Sequence, residues 1–327
     1  MQIKDLILGI DTSNYTTSLA IIDTKGIILI DSRVSLFVKH GERGLRQSKA
    51  LFQHMENLPD MVLDLFRRIN RERIAAVAVS NKPRPVEGSY MPVFKAGVTY
   101  GKVMAASLGV PFFEFSHQEG HLEAIRHDSC ISNTSEFVAY HLSGGTTEIL
   151  HIDKDTYRLI GGSRDLAFGQ VLDRVGVALG FQFPSGSELD KIAVKRREII
   201  KKLQLNNKTL NLKRIPIDGF EINLSGLETQ CQREILRGAE PDMLIYELFS
   251  VIAECLCQLT DKVIAQTGCS NILYTGGVSA SCFVRDQIER YFSGQPVRVI
   301  FGNPSLSSDN AVGIAYLGGK KLWQLNQ

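Results

Sequence analysis

The feature that most constrains this fold is an order of elements that occurs twice. In the first half, β-rich runs at 6–12 (LILGIDT) and 17–22 (TSLAII) flank the polar stretch Thr12-Ser13-Asn14-Tyr15-Thr16. A third run at 26–31 follows the turn at Asp23-Thr24-Lys25. Three short strands this close together predict an antiparallel meander. The spacing of Leu51, Met55, Leu58, Val62 and Leu65–Phe66 predicts a long helix over 46–69. A buried strand over Ile74–Ser80, a Pro-rich loop (Lys82-Pro83-Arg84-Pro85), a small-residue helix over 93–108 and a strand over 110–115 follow. The second half starts again near residue 136. Strands are expected over Glu136–Leu142, Glu148–Asp153 and Tyr157–Gly161, the last after a turn at Lys154-Asp155. Helices are expected at 169–180, 187–203 and 241–267, then a strand at 271–275 and a helix after Gly276-Gly277.

A β-β-β-α-β-α-β order is that of a ribonuclease-H-like unit. Two of them in one chain predict an α/β protein of the actin-like type, with two lobes and a nucleotide and metal cleft between them. The length of 327 residues suits two compact units. The expected lobes are 1–134, completed by a C-terminal helix at 309–327, and 135–308. Apolar residues at 44% are enough for a large core, and no apolar run reaches the length of a bilayer. Met1-Gln2-Ile3-Lys4-Asp5 lacks the apolar stretch of a signal peptide, so a cytoplasmic location without a membrane is expected. The six cysteines show no paired CxxC spacing and read as reduced, buried thiols.

The net charge of +2 leaves any nucleic-acid contact to local clustering. One cluster exists. Lys191, Lys195, Arg196, Arg197, Lys201, Lys202, Lys208, Lys213 and Arg214 fall within 191–214, either as a solvated helix face and loop or as a phosphate-contacting surface.

Three turns carry candidate nucleotide chemistry. Asp11 ends the first strand and faces small polar residues, where an acid can hold a metal or water beside phosphate. Such a turn can equally cap itself. Ser143-Gly144-Gly145-Thr146-Thr147 occupies the matching hairpin turn of the second half, where glycines admit close approach of backbone N–H groups to an anion. Tight hairpins also need glycine. The third turn, Tyr274-Thr275-Gly276-Gly277-Val278-Ser279, lies between a strand and a helix.

His117 and His121 stand at i and i+4 in S-H-Q-E-G-H-L-E-A, so a helix there puts both imidazoles on one face, as metal ligands require. Ser116 and Glu119 fit a capping box, which places the helix start at Ser116. A zinc protease carries its base directly after the first histidine. Here that position is Gln118, and Glu119 lies about 200° round the helix from His117. Asp309, just before a small-residue helix at Ala311–Leu317, is the best candidate for a third ligand, and a helix cap is its alternative role.

Taken together, H-x-E-G-H, S-G-G-x-T, F-x-x-x-L-x-R-V, S-G-L-x-T, G-G-V-S-A and S-D-N-A resemble the TsaD family, formerly called glycoproteases, over almost the whole chain. The resemblance implies one divalent metal, iron or zinc, on His117, His121 and Asp309, and an adenine nucleotide, ATP or an acyl-adenylate. It implies transfer of a threonylcarbamoyl group from threonylcarbamoyl-adenylate to the tRNA adenosine beside the anticodon. A partner subunit of the threonylcarbamoylation machinery is implied as well. By position, Ser143, Gly144, Gly145, Thr146 and Thr147 match the loop against metal and phosphate. Asp173, Gly186 and Asp190 match the residues that hold the nucleoside hydroxyls, and Gly277 and Ser281 match the loop near the base.

The sequence departs from the family in defined places. The usual G-I-E-T-S-C-D-E-T is Gly9-Ile10-Asp11-Thr12-Ser13-Asn14-Tyr15-Thr16-Thr17, so an acidic pair has become Tyr15-Thr16 and Asp11 is the nearest remaining acid. The G-P-G-L loop is Asn81–Gly88, longer and more basic. The lysine of S-G-L-K-T is Glu228, the asparagine after G-G-V-S-A is Ser281, and the histidine of S-G-G-H-T is Thr146. The alternatives to a transferase are a paralogue that binds nucleotide and metal in a regulatory or assembly role, and a metallopeptidase, which the absent H-E-x-x-H base disfavours.

Overall fold

The computed structural model describes residues 3–325 except 14, 39–44, 128, 133, 155, 204–209, 211, 303, 307 and 308. Asn14, Asp155, Lys208, Asn303, Ser307 and Ser308 belong to motifs or turns read from the sequence and lie outside the described residues. The chain divides into two compact units, Met1–Ser132 with Ser308–Gln327, and Asn133–Ser307.

In the first unit, β1 (Leu6–Asp11), β2 (Thr16–Asp23) and β3 (Ile28–Ser35) form the antiparallel meander. Then come α1 (Gln47–Arg68), β4 (Ile74–Lys82), α2 (Phe94–Leu108), β5 (Phe112–Ser116) and α3 (His117–Arg126). The sheet order is β3-β2-β1-β4-β5, with β4 parallel to β1 and β5 parallel to β4. Parallel neighbours need a crossover, which α1 and α2 supply.

The second unit holds β6 (Glu136–Leu142), β7 (Thr147–Asp153), β8 (Thr156–Ser163), α4 (Phe168–Ala178), α5 (Gly186–Leu203), β9 (Ile217–Asp218) and β10 (Glu221–Ile222). It continues with α6 (Ser225–Leu236), α7 (Pro241–Thr267), β11 (Asn271–Thr275), α8 (Cys282–Phe292) and β12 (Arg298–Phe301). Its sheet runs β12-β11-β6-β7-β8-β10-β9. Without the short β9–β10 ribbon, β8-β7-β6-β11-β12 repeats the strand order and directions of the first sheet. The twofold order of elements read from sequence is therefore a twofold order of strand pairing.

The last helix, α9 (Val312–Leu325), packs back on the first unit, opposite α1 and α2. Close approach explains its small residues. A Cβ on Gly9 of β1 would lie 2.5 Å from the Ala311 carbonyl oxygen and 2.8 Å from the Ala315 nitrogen. On the other sheet face, Leu6, Leu8, Ile10, Leu19 and Ile21 pack against Leu58, Met61 and Leu65 of α1. Each fully buried aliphatic side chain there contributes about 1.5–3 kcal/mol.

Several expectations need correction. The inward face of α1 carries Ala50, His54, Leu58, Met61 and Leu65, whereas Met55 is 46% exposed. Leu58 and Leu65 are buried as expected, with Leu51, Val62 and Phe66 packed partly buried beside them, and the stripe also places a histidine, His54, in a core position. A run long and apolar enough to cross a bilayer does exist, in α7, and 78% of that window is buried inside its unit, as expected of a helix apolar on all sides. Cys130 and Cys282 are exposed, while Cys231, Cys255, Cys257 and Cys269 are buried. Burial pushes the Cys231, Cys255 and Cys257 thiols up to about 12, which keeps them neutral. The ribbon β9–β10, α6 and β12 were not anticipated.

Much of the basic cluster is neutralised locally. Arg196 reaches Glu240 at 3.6 Å, Arg214 reaches Glu254 at 2.7 Å, and Lys201 reaches Glu198 at 3.7 Å. Arg197 is buried, pairs with Asp286 at 2.6 Å and lies over the Phe283 ring at 4.8 Å. Its stem and fork serve the packing of α5 on α8.

Candidate metal centre

The capping box at the start of α3 forms as its spacing predicts. The Glu119 N–H donates to Ser116 Oγ at 3.2 Å, and Glu119 Oε2 accepts the Ser116 N–H at 2.7 Å. Glu119 is thereby used in holding the helix end. The Gln118 N–H donates to the Pro83 carbonyl at 3.0 Å, which ties α3 to the Pro-rich loop after β4. His117 is the first residue of α3, and His121 follows one turn later.

Asp309 reaches them from the bend just before α9. The capping role at this helix falls to its neighbour, because Asn310 Oδ1 accepts the Val312 N–H at 3.0 Å. Asp309 Oδ1 lies 3.4 Å from His117 Nε2 and 3.5 Å from His121 Nε2. One ligand atom from each of the three residues falls within 4.8 Å of the others. Ligand atoms about 2.0–2.1 Å from a tetrahedral zinc stand about 3.3 Å apart, so the donor set and its spacing fit such an ion. The close packing of α3 on α9 fixes the gap. A Cβ on Gly313 would run into the Gly120 carbonyl oxygen, so the two helices meet backbone to backbone.

Behind His117 stands Asp11, fully buried at the end of β1. Its Oδ1 lies 3.0 Å from His117 Nδ1, and its Oδ2 accepts the Ser13 hydroxyl at 2.5 Å. An ionised carboxylate only accepts, so Nδ1 carries a proton toward Asp11, and a metal would take the place of the proton on Nε2. Burial alone would raise the Asp11 carboxyl, yet His117 outweighs it and holds the carboxyl below its ordinary value. Burial likewise disfavours a charged His117, but Asp11 and then Asp309 push it up to about 10. For Asp309, burial is outweighed by the hydrogen bonds of His117 and His121, and its carboxyl is held well below the usual range. Two carboxylates around one imidazole create a demand for positive charge at this spot, which a divalent cation would meet.

The remaining candidate residues lie in the second unit. The Ser143 N–H donates to the Thr146 carbonyl at 2.9 Å, and Ser143 Oγ accepts the N–H groups of Gly145 and Thr146 at 3.3 and 3.0 Å. Thr147 Oγ1 accepts the Phe168 N–H at 3.1 Å, joining the hairpin to the start of α4. A Cβ on Gly169 would sit 2.6 Å from Gly144 Cα, so loop and helix touch there. Gly276, at φ +91°, lies against the Leu142 carbonyl, which brings the third turn to the same end of β6. Added Cβ atoms at Gly144, Gly145, Gly186 and Gly277 would meet nothing within 4 Å, so all four border open space.

The two acids are partly committed. Asp173 Oδ1 accepts the Ser185 N–H at 2.8 Å, just before α5. Asp190 Oδ1 accepts the Ser281 hydroxyl at 2.5 Å and the Phe283 N–H at 3.1 Å, while its Oδ2 accepts the Cys282 N–H at 2.9 Å. Asp190 and Ser281 therefore cap α8 together, with Ser281 Oγ also accepting the Val284 N–H at 3.1 Å. Glu228, the charge reversal, faces Arg174 at 3.8 Å. Sequence reasoning passed over Asp165, which accepts the N–H groups of Leu224 and Ser225 at 2.7 and 3.1 Å and anchors the start of α6, where S-G-L-E-T lies. A family profile described as TsaD, tRNA N6-adenosine threonylcarbamoyltransferase, matches residues 31–316.

The chain belongs to the TsaD family. Among the relatives of this TsaD-family chain is the tRNA N6-adenosine threonylcarbamoyltransferase of Neorickettsia sennetsu, 27% identical over 97% of the chain and 94% of that protein. The protein of the same description from Thermofilum pendens is 25% identical over 95% and 88%. A third, from Methanothermobacter thermautotrophicus, is called a probable bifunctional tRNA threonylcarbamoyladenosine biosynthesis protein. It is 26% identical over 96% of the chain, which spans only 55% of its length. Among solved structures, HypF of T. kodakarensis aligns with a TM-score of 0.59 at 12% identity, over 99% of the chain and 49% of HypF. Component A of the Acidaminococcus fermentans (R)-2-hydroxyglutaryl-CoA dehydratase gives 0.54 at 17%, over 98% and 99%. These likenesses establish the actin-like fold.

Proposed function

We propose that this chain is a metal- and nucleotide-dependent acyltransferase that moves a threonylcarbamoyl group from its adenylate to a tRNA adenosine. The observation that carries the reading is the trio His117, His121 and Asp309, with Asp11 fixing the His117 ring from behind. A divalent metal held there would supply Lewis acidity toward the acyl carbonyl or a phosphate oxygen. The glycines that border open space leave room for a nucleotide against backbone, and the Asp173 carboxylate would hold a ribose hydroxyl. The amine of the acceptor attacks the carbamoyl carbon, the bond from that carbon to the phosphate oxygen breaks, and the amine proton passes to a base as adenylate leaves.

The test is incubation of the purified protein with ATP, bicarbonate, threonine, the activating enzyme and tRNA, followed by nucleoside analysis. Modified adenosine that disappears with His117→Ala is the expected result. Tight nucleotide binding without product would overturn it in favour of a second reading, a regulatory or assembly paralogue. That reading draws on Tyr15-Thr16, which stand where relatives carry an acidic pair. Peptidase activity has little support, because Glu119 is tied into the capping box.

A further inference from the structure

The spacing of the three candidate ligands depends on how α3 lies against α9, and one charged pair at that contact has no part in the scheme above. Where the two helices come closest they meet without side chains. A Cβ on Gly313 would run into the Gly120 carbonyl oxygen and lie 2.8 Å from the Ala124 nitrogen. A Cβ on Gly120 would lie 2.8 Å from Ile314 Cδ1. Packed helices take their register from side chains that interdigitate, and backbones touching at glycine supply none. A metal site tolerates only about 0.2 Å in its ligand distances. Contacts beside the glycines must therefore hold His117 and His121 at a fixed offset from Asp309.

Glu123 stands two residues beyond His121 on α3, its side chain only 2% exposed, and Lys320 reaches it from α9, Nζ pairing with Oε1. Arg126 Nε stands 3.9 Å from Glu123 Oε2, and Arg126 Nη2 donates to the Ser132 carbonyl at 2.7 Å. The buried carboxylate is thus met by one cation from each helix. The neighbouring His127–Tyr316 ring stack has centroids 3.6 Å apart and planes 9° apart, so it joins the helices through flat faces that can slip over one another. Opposite charges away from water instead resist any change in their separation. Taking a carboxylate out of water is costly, and an apolar pair of similar volume often packs as well or better. The best-attested use of such a pair is to fix register.

We propose that Glu123 is a positioning residue of the metal centre: paired with Lys320, it sets the register of α3 against α9 and so the distance from the His117 and His121 rings to Asp309. The inference rests on the metal centre proposed above and is independent of the transfer step. It gives a task to a buried acid that no motif of the sequence marks.

The test uses the full chain and two readouts, zinc affinity by competition with a chelator and the visible spectrum of the cobalt(II)-loaded protein, which reports ligand geometry. Glu123→Leu combined with Lys320→Met replaces the ion pair by an apolar one. Its denaturation midpoint should equal or exceed that of wild type. Zinc affinity should nevertheless fall about tenfold, and the cobalt spectrum should change. Lys320→Arg keeps the charge on a side chain that is 32% exposed, and should retain the wild-type affinity and spectrum. A folded double variant with wild-type affinity and spectrum overturns the proposal, as does a Lys320→Arg variant that loses as much affinity as the double one. If the double variant does not fold, Glu123→Gln decides, because it keeps the shape and removes the charge. Weakened zinc binding at a wild-type midpoint supports the positioning role. Unchanged zinc binding, or a loss that follows the midpoint down, overturns it. Failure of the wild-type chain to take up zinc removes this inference together with the metal reading. The expected cobalt response in a chain that makes no modified adenosine removes the transferase reading alone.

Discussion

The two units carry sites built in different ways. In the first, the chemistry lies in side chains whose orientation other side chains fix: Asp11 sets His117, and Asn310 caps α9 in place of Asp309. In the second, the candidate site is mostly backbone. Gly144, Gly145, Gly186 and Gly277 border open space, while Asp173 and Asp190 already accept N–H groups from Ser185, Cys282 and Phe283. Side-chain sites fail by loss of a ligand, and backbone sites fail by gain of an atom. Removing a side chain should therefore weigh most at the first site, and adding one should weigh most at the second.

The largest effect should come from His121→Ala. It leaves two ligands, and metal affinity measured by competition with a chelator should fall well beyond the roughly hundredfold typical of residues behind a ligand. Asp11→Ala keeps all three ligands and removes the acceptor that fixes the His117 tautomer. An affinity loss of about 10–100-fold is expected, and an unchanged affinity would break the account of Asp11 as an orienting group. In the second unit, Gly169→Ala forces a methyl against Gly144 Cα and Ser143 O, at 2.6 and 2.7 Å. It should cost about 1–3 kcal/mol in denaturant unfolding. Gly277→Ala meets nothing and should stay within about 0.5 kcal/mol of wild type. If calorimetry shows that it also leaves ATP binding intact, the glycine border is not a nucleotide surface. Asp190→Ala should cost about 1–2 kcal/mol by uncapping α8.

A separate effect is a pH dependence. The folded pKa of His54, about 4, lies below its ordinary value of 6.5, so the unfolded chain takes up the proton first. Stability from this group is full above about 6.5, falls as pH drops, and levels off below about 4, with a slope of at most about 1.4 kcal/mol per pH unit. His54→Gln should flatten that part of the unfolding profile relative to wild type.

Much of the first site was legible because its signals are local. The i, i+4 spacing of His117 and His121 and the S-x-x-E box around them fix a helix face and a helix start within a few residues. Asp309 was legible only as a candidate, since the contact that brings it in is between backbones at Gly120 and Gly313, and glycine spacing names no partner. His54 was hidden for a related reason. A polar residue beside Met55 reads as solvent-facing, and the apolar stripe through Leu51, Met55 and Leu58 passes His54 by. The duplication was readable from element order, but β9, β10 and β12 span two to four residues each, too few for a period to register. In the second unit, family position identified Asp173 and Asp190 as acids of interest. Only coordinates reveal which of their oxygens are already engaged.

The return of α9 to the first unit sets an order of events during synthesis. A ribosome delivers β1 and α3 early, with Asp11, His117 and His121, and then makes the whole second unit before Asp309 appears. Until then the nascent chain presents two imidazoles and a sheet with one face uncovered, where Gly9 and Ala78 await α9. Covering of that sheet face and arrival of the third candidate ligand are one step, so a chain cut short before α9 lacks both.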